Sequence, residues 1–265
     1  MESPVIIHIP HASALIPEEE RSRLVLSDED LEQELLRMTD RYTDELFDLG
    51  EEAIRVIFPV SRLVCDPERF LDDTKESMAA RGMGAVYTKT SDGRPLRPRP
   101  DPGERQRLLD AYYFPHHQWL EEAVRSTLAD HGRCLIIDAH SFPSSPLLCD
   151  ENQDPDRPDA CIGTDDFHTP AWLERTAVRA FSGLGWSVAV NRPYLGALVP
   201  LSLYGKDECV RSVMVELNRK IYMDEHSGER SADFGQVRLR IRAALLDITS
   251  SHLAEDTQQT TCESS

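Results

Sequence analysis

The sequence predicts an α/β fold, in which the strands of a sheet alternate with helices. Short apolar runs of strand length recur along the chain, and stretches with helical periodicity lie between them. With 265 residues, of which 40% are hydrophobic, the chain is long enough to bury a large core. Elements that alternate in this way pack as layers, with helices against a sheet. The predicted strands cover residues 5–9, 54–58, 134–138, 186–190 and 212–217.

Four helices are predicted between and after these strands. The first opens at Ser27, a residue type that caps helices, and acidic residues follow in its first turn. The second runs from Tyr112 to His131, the third over about 170–184 and the fourth over about 233–252. The expected apolar positions are Leu31, Leu35, Leu36, Leu46 and Phe47 in the first helix, and Trp119, Leu120, Val124 and Leu128 in the second.

Three segments lack such patterns. Residues 90–103 and 149–159 are rich in proline, and we predict loops there because the apolar pattern resumes on either side of each segment. The tail 255–265 is polar and carries no apolar period, so we expect it to be disordered.

The composition argues against several classes of protein. A formal net charge of −18 disfavours binding to nucleic acid, whose phosphates attract basic surfaces. No run approaches the roughly 20 apolar residues of a membrane helix, and the N-terminus lacks the basic and apolar regions of a secretory signal. The six cysteines form no CxxC pair, so we expect reduced thiols in a cytoplasmic protein.

Two histidines follow predicted strands: His11 comes after 5–9 and His140 after 134–138. Ligands of open α/β sheets bind at the carboxyl ends of strands, so both imidazoles are expected at one edge of the sheet. Catalytic zinc usually has three protein ligands and one position for water, and neutral imidazole is a common ligand. The pair therefore predicts an enzyme that activates water with a shared metal ion, although a single histidine after a strand is more often structural.

Carboxylates supply the remaining candidates. The third metal ligand is open between Asp40 and Asp44, which are spaced one helical turn apart. On spacing alone, an ordinary solvated acidic face is the simpler explanation for that pair. Glu216 interrupts an apolar strand, where a carboxylate needs a partner, and it is the candidate general base. An ion pair with Arg219 or Lys220 is the alternative reading of Glu216.

Three arginines are candidate anion-binding groups, because a guanidinium binds a carboxylate with two hydrogen bonds and stabilises an oxyanion. Arg62 and Arg69 flank a short apolar segment, and Arg192 follows the fourth predicted strand. His117 and His168 are weaker candidates for the same site, because helix capping and packing explain both of them.

Short segments of the chain, taken together, resemble the N-formylglutamate amidohydrolase family. The segments occur in the order of the family and span about residues 5–225. Each segment is weak by itself, but the ordered set is specific. The segments are IPHAS at 9–13, TDRYTDELF at 39–47, SRLVCDPER at 61–69, YFPHH at 113–117, IDAHSFP at 137–143, CIGT at 161–164, NRPYLG at 191–196 and VELNR at 215–219.

The resemblance implies one domain, 1–254, with the phosphorylase/hydrolase-like fold of zinc carboxypeptidases: a mixed, mostly parallel sheet with helices on both faces. It also implies hydrolysis of a small anionic N-acyl amino acid. The implied substrate is N-formyl-L-glutamate, cleaved to formate and L-glutamate in amino-acid catabolism and histidine degradation. The alternatives are another N-acyl amino acid or a small peptide as substrate, or a non-catalytic metal-binding module of the same fold.

Carried over by position, the resemblance implies that Zn²⁺, or another divalent metal, is held by His11, His140 and Asp40, with Asp44 as the alternative acid. Glu216 is then the base, and Arg69 is the group that stabilises the oxyanion. Contacts to the substrate are expected from Arg62, Asn191, Arg192 and Ser141.

Two positions depart from the pattern of the family. His11 is followed by Ala12 and Ser13, without the glycine that is common there, and this departure alters a turn. Glu68 stands before Arg69 where the family commonly has asparagine. The second departure adds an acid beside the proposed anion site.

Overall fold

One six-stranded sheet forms the centre of the computed structural model, which describes residues 3–254. Its strands are β1 (Val5–Ile9), β2 (Ile54–Ile57), β3 (Cys134–Phe142), β4 (Ala160–Gly163), β5 (Val188–Val190) and β6 (Val210–Asn218). They lie in the order β2-β1-β3-β6-β4-β5, and every neighbouring pair is parallel except β4 with β6. The predicted mixed, mostly parallel sheet is confirmed. The tail predicted at 255–265 lies outside the described residues.

Helices cover both faces of this sheet, as predicted. Helices α6 and α7 pack on one face and α5 packs on the other. Within residues 3–254 no helix combines the length and the apolar character needed to cross a membrane. The helices are α1 (Glu18–Arg21), α2 (Asp28–Met38), α3 (Thr43–Leu46), α4 (Pro102–Leu108), α5 (Phe114–His131), α6 (Ala171–Ser182) and α7 (Phe234–Ala254), and a π-helical segment, Leu109–Tyr113, joins α4 to α5.

Alternate residues of the central strands enter two separate cores. On β1, Ile7 packs with α6 and α7, whereas Ile6 packs with α5. Because successive side chains of a strand point to opposite faces, His8 lies on the same side as Ile6. Asp138 and His140 on β3 lie on that side too. His8, Asp138 and His140 therefore face the α5 side of the sheet.

The first predicted helix is shorter than expected. Ser27 caps it as predicted, since its hydroxyl accepts a hydrogen bond from the backbone N–H of Asp30 at 3.1 Å. The helix ends at Met38, and the backbone N–H of Asp40 instead donates to the carbonyl of His11 at 2.9 Å. A tertiary contact with the end of β1 thus stops α2.

Leu46 and Phe47 consequently lie outside α2, although both are fully buried. Tyr42 precedes α3 in a left-handed conformation, with φ at 67°. The prediction that Asp40 and Asp44 share one helical face is therefore wrong, because the chain turns between them.

The second predicted helix is longer than expected. Helical structure begins at Pro102 and passes through the π-helical segment before α5 continues to His131. Leu120 and Val124 are fully buried, as predicted. Trp119 is 44% exposed, so its placement on the apolar face is wrong. The sheet buries only one face of α5, the face that contains Leu120 and Val124.

Strand β4 has no counterpart among the predicted strands, because its four residues are too few to show a period. At its end, a Cβ on Gly163 would clash with the carbonyl oxygen of Gly196. This close approach of two backbone segments requires glycine at that position.

His252, in the last turns of α7, is a buried histidine on the side of the sheet away from these polar residues. Burial lowers its pKa from the ordinary 6.5 to about 3, and the charges of Arg211 and Arg133 act in the same direction. Below pH 6.5 the unfolded chain binds a proton here that the folded protein does not bind. Protonation of His252 in the unfolded chain therefore costs no stability above pH 6.5. It lowers the free energy of unfolding progressively as the pH falls towards 3.

We expect the free energy of unfolding to fall by about 2 kcal/mol less in a His252→Gln variant than in the wild type between pH 7 and pH 5. Urea unfolding at the two pH values measures this difference. His226 is exposed, so His226→Gln serves as the control and should keep the wild-type pH dependence. Equal losses in the wild type and in H252Q would contradict the assignment.

Candidate active site

A pocket of about 360 Å³ opens at the carboxyl ends of the central strands. His11 follows β1, His140 lies near the end of β3, and Glu216 lies near the end of β6. Arg69 and Tyr194, from the loops after β2 and β5, complete its polar wall. Side chains from distant parts of the chain therefore meet at the edge of the sheet where ligands of α/β proteins bind.

Strand register places several of these side chains next to each other. His140 is directly opposite Glu216 in the pairing of β3 with β6, and His8 is opposite Asp138 in the pairing of β1 with β3. The predicted strand 134–138 in fact continues to Phe142. His140 therefore lies inside the strand and not after it, which fixes its position more firmly than a loop would.

Three buried side chains, His11, Asp40 and His140, form what we call the donor set. Asp40 Oδ2 lies 3.7 Å from His11 Nδ1 and 3.3 Å from His140 Nδ1. The two imidazole centroids are 5.1 Å apart, and one potential ligand atom from each residue lies within 4.8 Å of the others. Asp44 does not line the pocket. The geometry thus favours Asp40 over Asp44 as the acidic member of the set.

The hydrogen bonds of His11 leave one nitrogen without a partner. Nε2 donates to Asp66 Oδ1 at 2.9 Å, whereas Nδ1 is buried, has no hydrogen-bond partner and faces Asp40. Asp66 in turn accepts hydrogen bonds from Arg62 and Tyr87. A carboxylate that holds one nitrogen of a histidine, while the other nitrogen is left for an ion, is the usual support of a metal ligand. These residues fit zinc or another divalent ion that takes nitrogen and oxygen ligands.

Arg219 holds the acidic member of the donor set. Its Nη2 donates to Asp40 Oδ1 at 2.9 Å, and its Nε donates to the hydroxyl of Ser141 at 3.2 Å. Burial alone would raise the pKa of Asp40, but contacts with His11 and His140 and the charge of Arg219 hold this pKa well below its usual range. Asp40 is therefore ionised, with Oδ2 turned towards the two imidazoles.

The second nitrogen of His140 faces two further carboxylates. Nε2 lies 3.1 Å from Glu68 Oε2 and 3.2 Å from Asp138 Oδ1. Burial disfavours the charged ring, but the two carboxylates raise the pKa of His140 well above its ordinary value. The potential at this ring is thus strongly negative, which favours a bound cation.

Glu216 lines the same pocket and lies on the same face of the sheet as His140, its partner in the pairing of β3 with β6. It is 7% exposed, its Oε2 has no hydrogen-bond partner, and burial raises its pKa to about 8. The alternative ion pairs are not seen, because Arg219 binds Asp40 and Lys220 lies 3.2 Å from another carboxylate outside the pocket. A buried, unpaired carboxyl group with a raised pKa, beside a donor set, is placed to exchange protons with a ligand.

Arg62 and Arg69, both predicted near the site, differ in how many of their hydrogen-bond donors already have partners. Arg62 donates to Asp66 from Nε at 3.1 Å and from Nη2 at 2.7 Å, so much of its hydrogen-bonding capacity is used. Arg69 Nε lies 3.6 Å from Asp66 and has no hydrogen-bond partner. Arg69 is therefore the guanidinium better placed to bind an anion in the pocket.

Four candidates from the sequence do not reach the pocket lining. Arg192 is 55% exposed and Asn191 hydrogen-bonds to a neighbouring loop, so the geometry gives no support to substrate contacts from either residue. His117 and His168 bind backbone carbonyl oxygens, each at 2.7 Å, which is the packing role that the sequence also allowed.

Other residues of the site are not found by sequence reasoning. Asp138 had an available signal, because it stands two positions before His140 on one strand. Arg219 is suggested by the sequence only as a partner of Glu216, whereas the structure pairs it with Asp40. Asp66 and His116 have no local signal, because their partners come from distant segments, whereas His8 interrupts the apolar run 5–9 in the way that Glu216 interrupts its own strand.

An α/β sheet that brings imidazoles, carboxylates and arginines to one pocket at its carboxyl edge has the groups of a hydrolase that activates water. The comparison with known families agrees. The chain belongs to the N-formylglutamate amidohydrolase family, whose family model matches residues 3–223. This result confirms the family, the fold and the enzyme class that the sequence predicts.

Individual relatives show the same likeness over most of the chain. The chain is 29% identical over 232 residues to the N-formylglutamate deformylase of Pseudomonas aeruginosa, with 84% of each protein covered. Its fold is similar to that of an N-formylglutamate amidohydrolase from Ralstonia eutropha, with a TM-score of 0.81, 23% identity and 95% of both chains covered. A gene product of Agrobacterium tumefaciens gives a TM-score of 0.67 at 21% identity, covering 93% of this chain and 92% of that one.

Replacement of Arg219 leaves Asp40 as a buried carboxylate without its arginine. We expect Arg219→Met to lower the free energy of unfolding by about 3 kcal/mol, measured by denaturant unfolding of the metal-free protein. Arg242→Met is the matched control, because it removes a partly exposed ion pair with Glu52 and should cost less than about 1 kcal/mol.

The double variant Asp40→Asn/Arg219→Met identifies the cause. It removes the unpaired charge and should recover part of the stability lost in R219M. A double variant no more stable than R219M would show that the ion pair is not the reason for the loss.

Proposed function

We propose that the protein hydrolyses N-formyl-L-glutamate to formate and L-glutamate in this pocket, with a divalent metal ion, expected to be zinc. Membership of the family and the 29% identity to a deformylase of that name support the reaction. The observation that carries the metal dependence is the convergence of His11, Asp40 and His140 on one point beside Glu216.

The donor set would hold the ion through the Nδ1 atoms of His11 and His140 and through Asp40 Oδ2, with one position left towards the pocket. When bound, a divalent ion supplies Lewis-acid activation of water and of the scissile carbonyl. Asp66 and Arg219 keep the donors in place, because each forms hydrogen bonds with a member of the set.

Glu216 is the proposed general base. It takes a proton from the attacking water while the water oxygen bonds to the formyl carbon. When the carbon–nitrogen bond breaks, Glu216 returns that proton to the nitrogen, so that formate and the free amine of glutamate result. The absence of a hydrogen-bond partner on its Oε2 supports this role, because the atom is available to the ligand.

Arg69 is the proposed stabiliser of the carbonyl oxygen, because its guanidinium faces the pocket and negative charge develops on that oxygen during attack. Arg62 and Ser141 line the same pocket and are the proposed contacts for the carboxylates of the substrate. An anionic substrate fits this lining despite the acidity of the whole chain, because the potential in a pocket follows its local charges.

Replacement of the base tests the proton transfer separately from metal binding. We expect Glu216→Gln to lower kcat for formate release by at least about 100-fold, because an amide does not accept the proton. Bound metal, measured by elemental analysis of the same samples, should stay at the wild-type level. Glu229→Gln changes an exposed carboxylate outside the pocket and should keep wild-type turnover. Wild-type kcat in E216Q would remove Glu216 from the base role.

Metal removal tests the cofactor. Dialysis against a chelator should abolish formate release, and added Zn²⁺ should restore it, because the Lewis acid is then replaced. His11→Ala should stay inactive after zinc is added, whereas His226→Ala, at an exposed position, should recover like the wild type. Full activity of the chelated wild type would show that the reaction needs no metal.

A panel of substrates tests the identity of the amide. N-Formyl-L-glutamate should give a higher kcat/KM than N-formylglutamine, N-acetylglutamate, N-formylmethionine or a glutamyl dipeptide. A higher kcat/KM for another compound would identify that compound as the substrate and leave the proposed hydrolysis unchanged. Bound metal without turnover of any compound would instead identify a non-catalytic metal-binding module.

A further inference from the structure

A second group of metal-ligating side chains lies beside the donor set. His8, Glu68 and Asp138 each place one nitrogen or oxygen atom within 4.8 Å of the others. We propose that these three residues, the second donor set, bind a second divalent cation. The proposal rests on the proposed function only in assuming a cation at the first donor set, and it does not depend on which amide is cleaved.

The distances within the second donor set suit one ion. His8 Nδ1 lies 2.8 Å from Asp138 Oδ1 and 3.7 Å from Glu68 Oε1. Ligands that lie about 2.0–2.2 Å from a tetrahedral ion are about 3.4 Å apart, so a shift of a few tenths of an ångström in each pair would admit the ion. His8 and Asp138 are held by their pairing on β1 and β3. Glu68 and Asp138 line the pocket, so an ion reaches the set from there.

The charges of the second donor set also indicate a cation. Asp40 and Asp66, two other buried acids near the pocket, each pair with an arginine. Within the described part of the chain, the ion pairs of Glu68 and Asp138 are with histidines. Their charge compensation thus comes from imidazoles alone, and a bound cation would add to it.

An independent observation comes from His140. This side chain is 5% exposed, and its Nε2 has no hydrogen-bond partner although it lies 3.1 Å from Glu68 and 3.2 Å from Asp138. The ring therefore spans the two donor sets, with Nδ1 towards the first and Nε2 towards the second. The ring and the two carboxylates therefore share one buried space, and an ion bound there would add to the charge compensation that His140 supplies.

His116 holds the other nitrogen of His8. The two Nε2 atoms lie 2.8 Å apart, so one ring donates to the other. Nδ1 of His8 lies 2.8 Å from Asp138 Oδ1, so this nitrogen faces the second donor set. A histidine that ligates a metal commonly has its second nitrogen held by a neighbour in this way.

Glu68 connects the two sites. Its Oε1 faces His8, and its Oε2 lies 3.8 Å from the unpartnered His11 Nδ1. A carboxylate in that position would contact an ion at either donor set, and a second ion would supply further Lewis-acid activation of the water or of the scissile carbonyl. The second cation would therefore act on the same substrate as the first.

The count of bound ions tests the proposal. Metal-free full-length protein is titrated with Zn²⁺ in a calorimeter, and bound zinc is measured by elemental analysis after gel filtration. The wild type should bind two equivalents. Glu68→Gln and Asp138→Asn should each retain one equivalent, with the other bound at least about 10-fold more weakly. Glu225→Gln, at a half-buried carboxylate outside the pocket, should bind two.

If a variant does not fold, anomalous diffraction from zinc-soaked crystals of the wild type counts the bound ions instead. Two peaks, one at each donor set, support the proposal. One equivalent in the wild type that E68Q leaves unchanged overturns it, and Glu68 and Asp138 then only orient His140. That outcome leaves the proposed function standing. Binding of no zinc overturns both the second site and the metal dependence, whereas two bound ions without formate release count against the proposed function alone.

Discussion

The parallel register of β1, β3 and β6 is the constraint on which the pocket depends. The apolar residues of these strands alternate between two cores, and the strands are buried on both faces. A slip of one residue in any pairing would exchange the two sets of side chains between the cores and carry the polar residues of the site to the other face. The same register sets His8 opposite Asp138, and His140 opposite Glu216. The packing that stabilises the sheet therefore also sets the geometry of the site.

Arginines from other segments make this concentration of buried acids tolerable. Arg219, from the end of β6, binds Asp40, and Arg62, from the loop after β2, binds Asp66. Both carboxylates then act on imidazoles: Asp40 faces His11 and His140, and Asp66 holds the far nitrogen of His11. A buried ion pair is costly to assemble, and its benefit here is orientation of the rings more than stability.

The sequence predicts the parts of this architecture that depend on local pattern. Apolar runs locate most strands, and a polar residue that interrupts or follows such a run marks His11, His140 and Glu216. Ser27 marks the start of α2 by the chemistry of its own side chain. The end of that helix is different, because it is decided by a hydrogen bond from Asp40 to a carbonyl 29 positions earlier in the chain.

The same reason explains what the sequence does not predict. The partner of Arg219 lies far away along the chain, so the nearer Glu216 is the natural but mistaken choice. His8 and Asp66 act through residues on other elements, and no spacing rule connects them. Arg192 and Asn191 have suitable chemistry but lie where the fold turns away from the pocket. Local pattern thus indicates residue types, and only tertiary contacts select among them.

The π-helical segment Leu109–Tyr113 lies within a continuous helical stretch. The apolar faces before and after this segment point in different directions. One extra residue in a turn rotates everything that follows by about 100° around the axis. Before and within this segment, Leu108 and Leu109 pack into a small core beneath the loops, whereas Leu120 and Val124 beyond it pack on the sheet. The rotation also turns His116 inwards to His8. A one-residue deletion in this turn would therefore swing the imidazole away from the sheet while leaving the stretch helical.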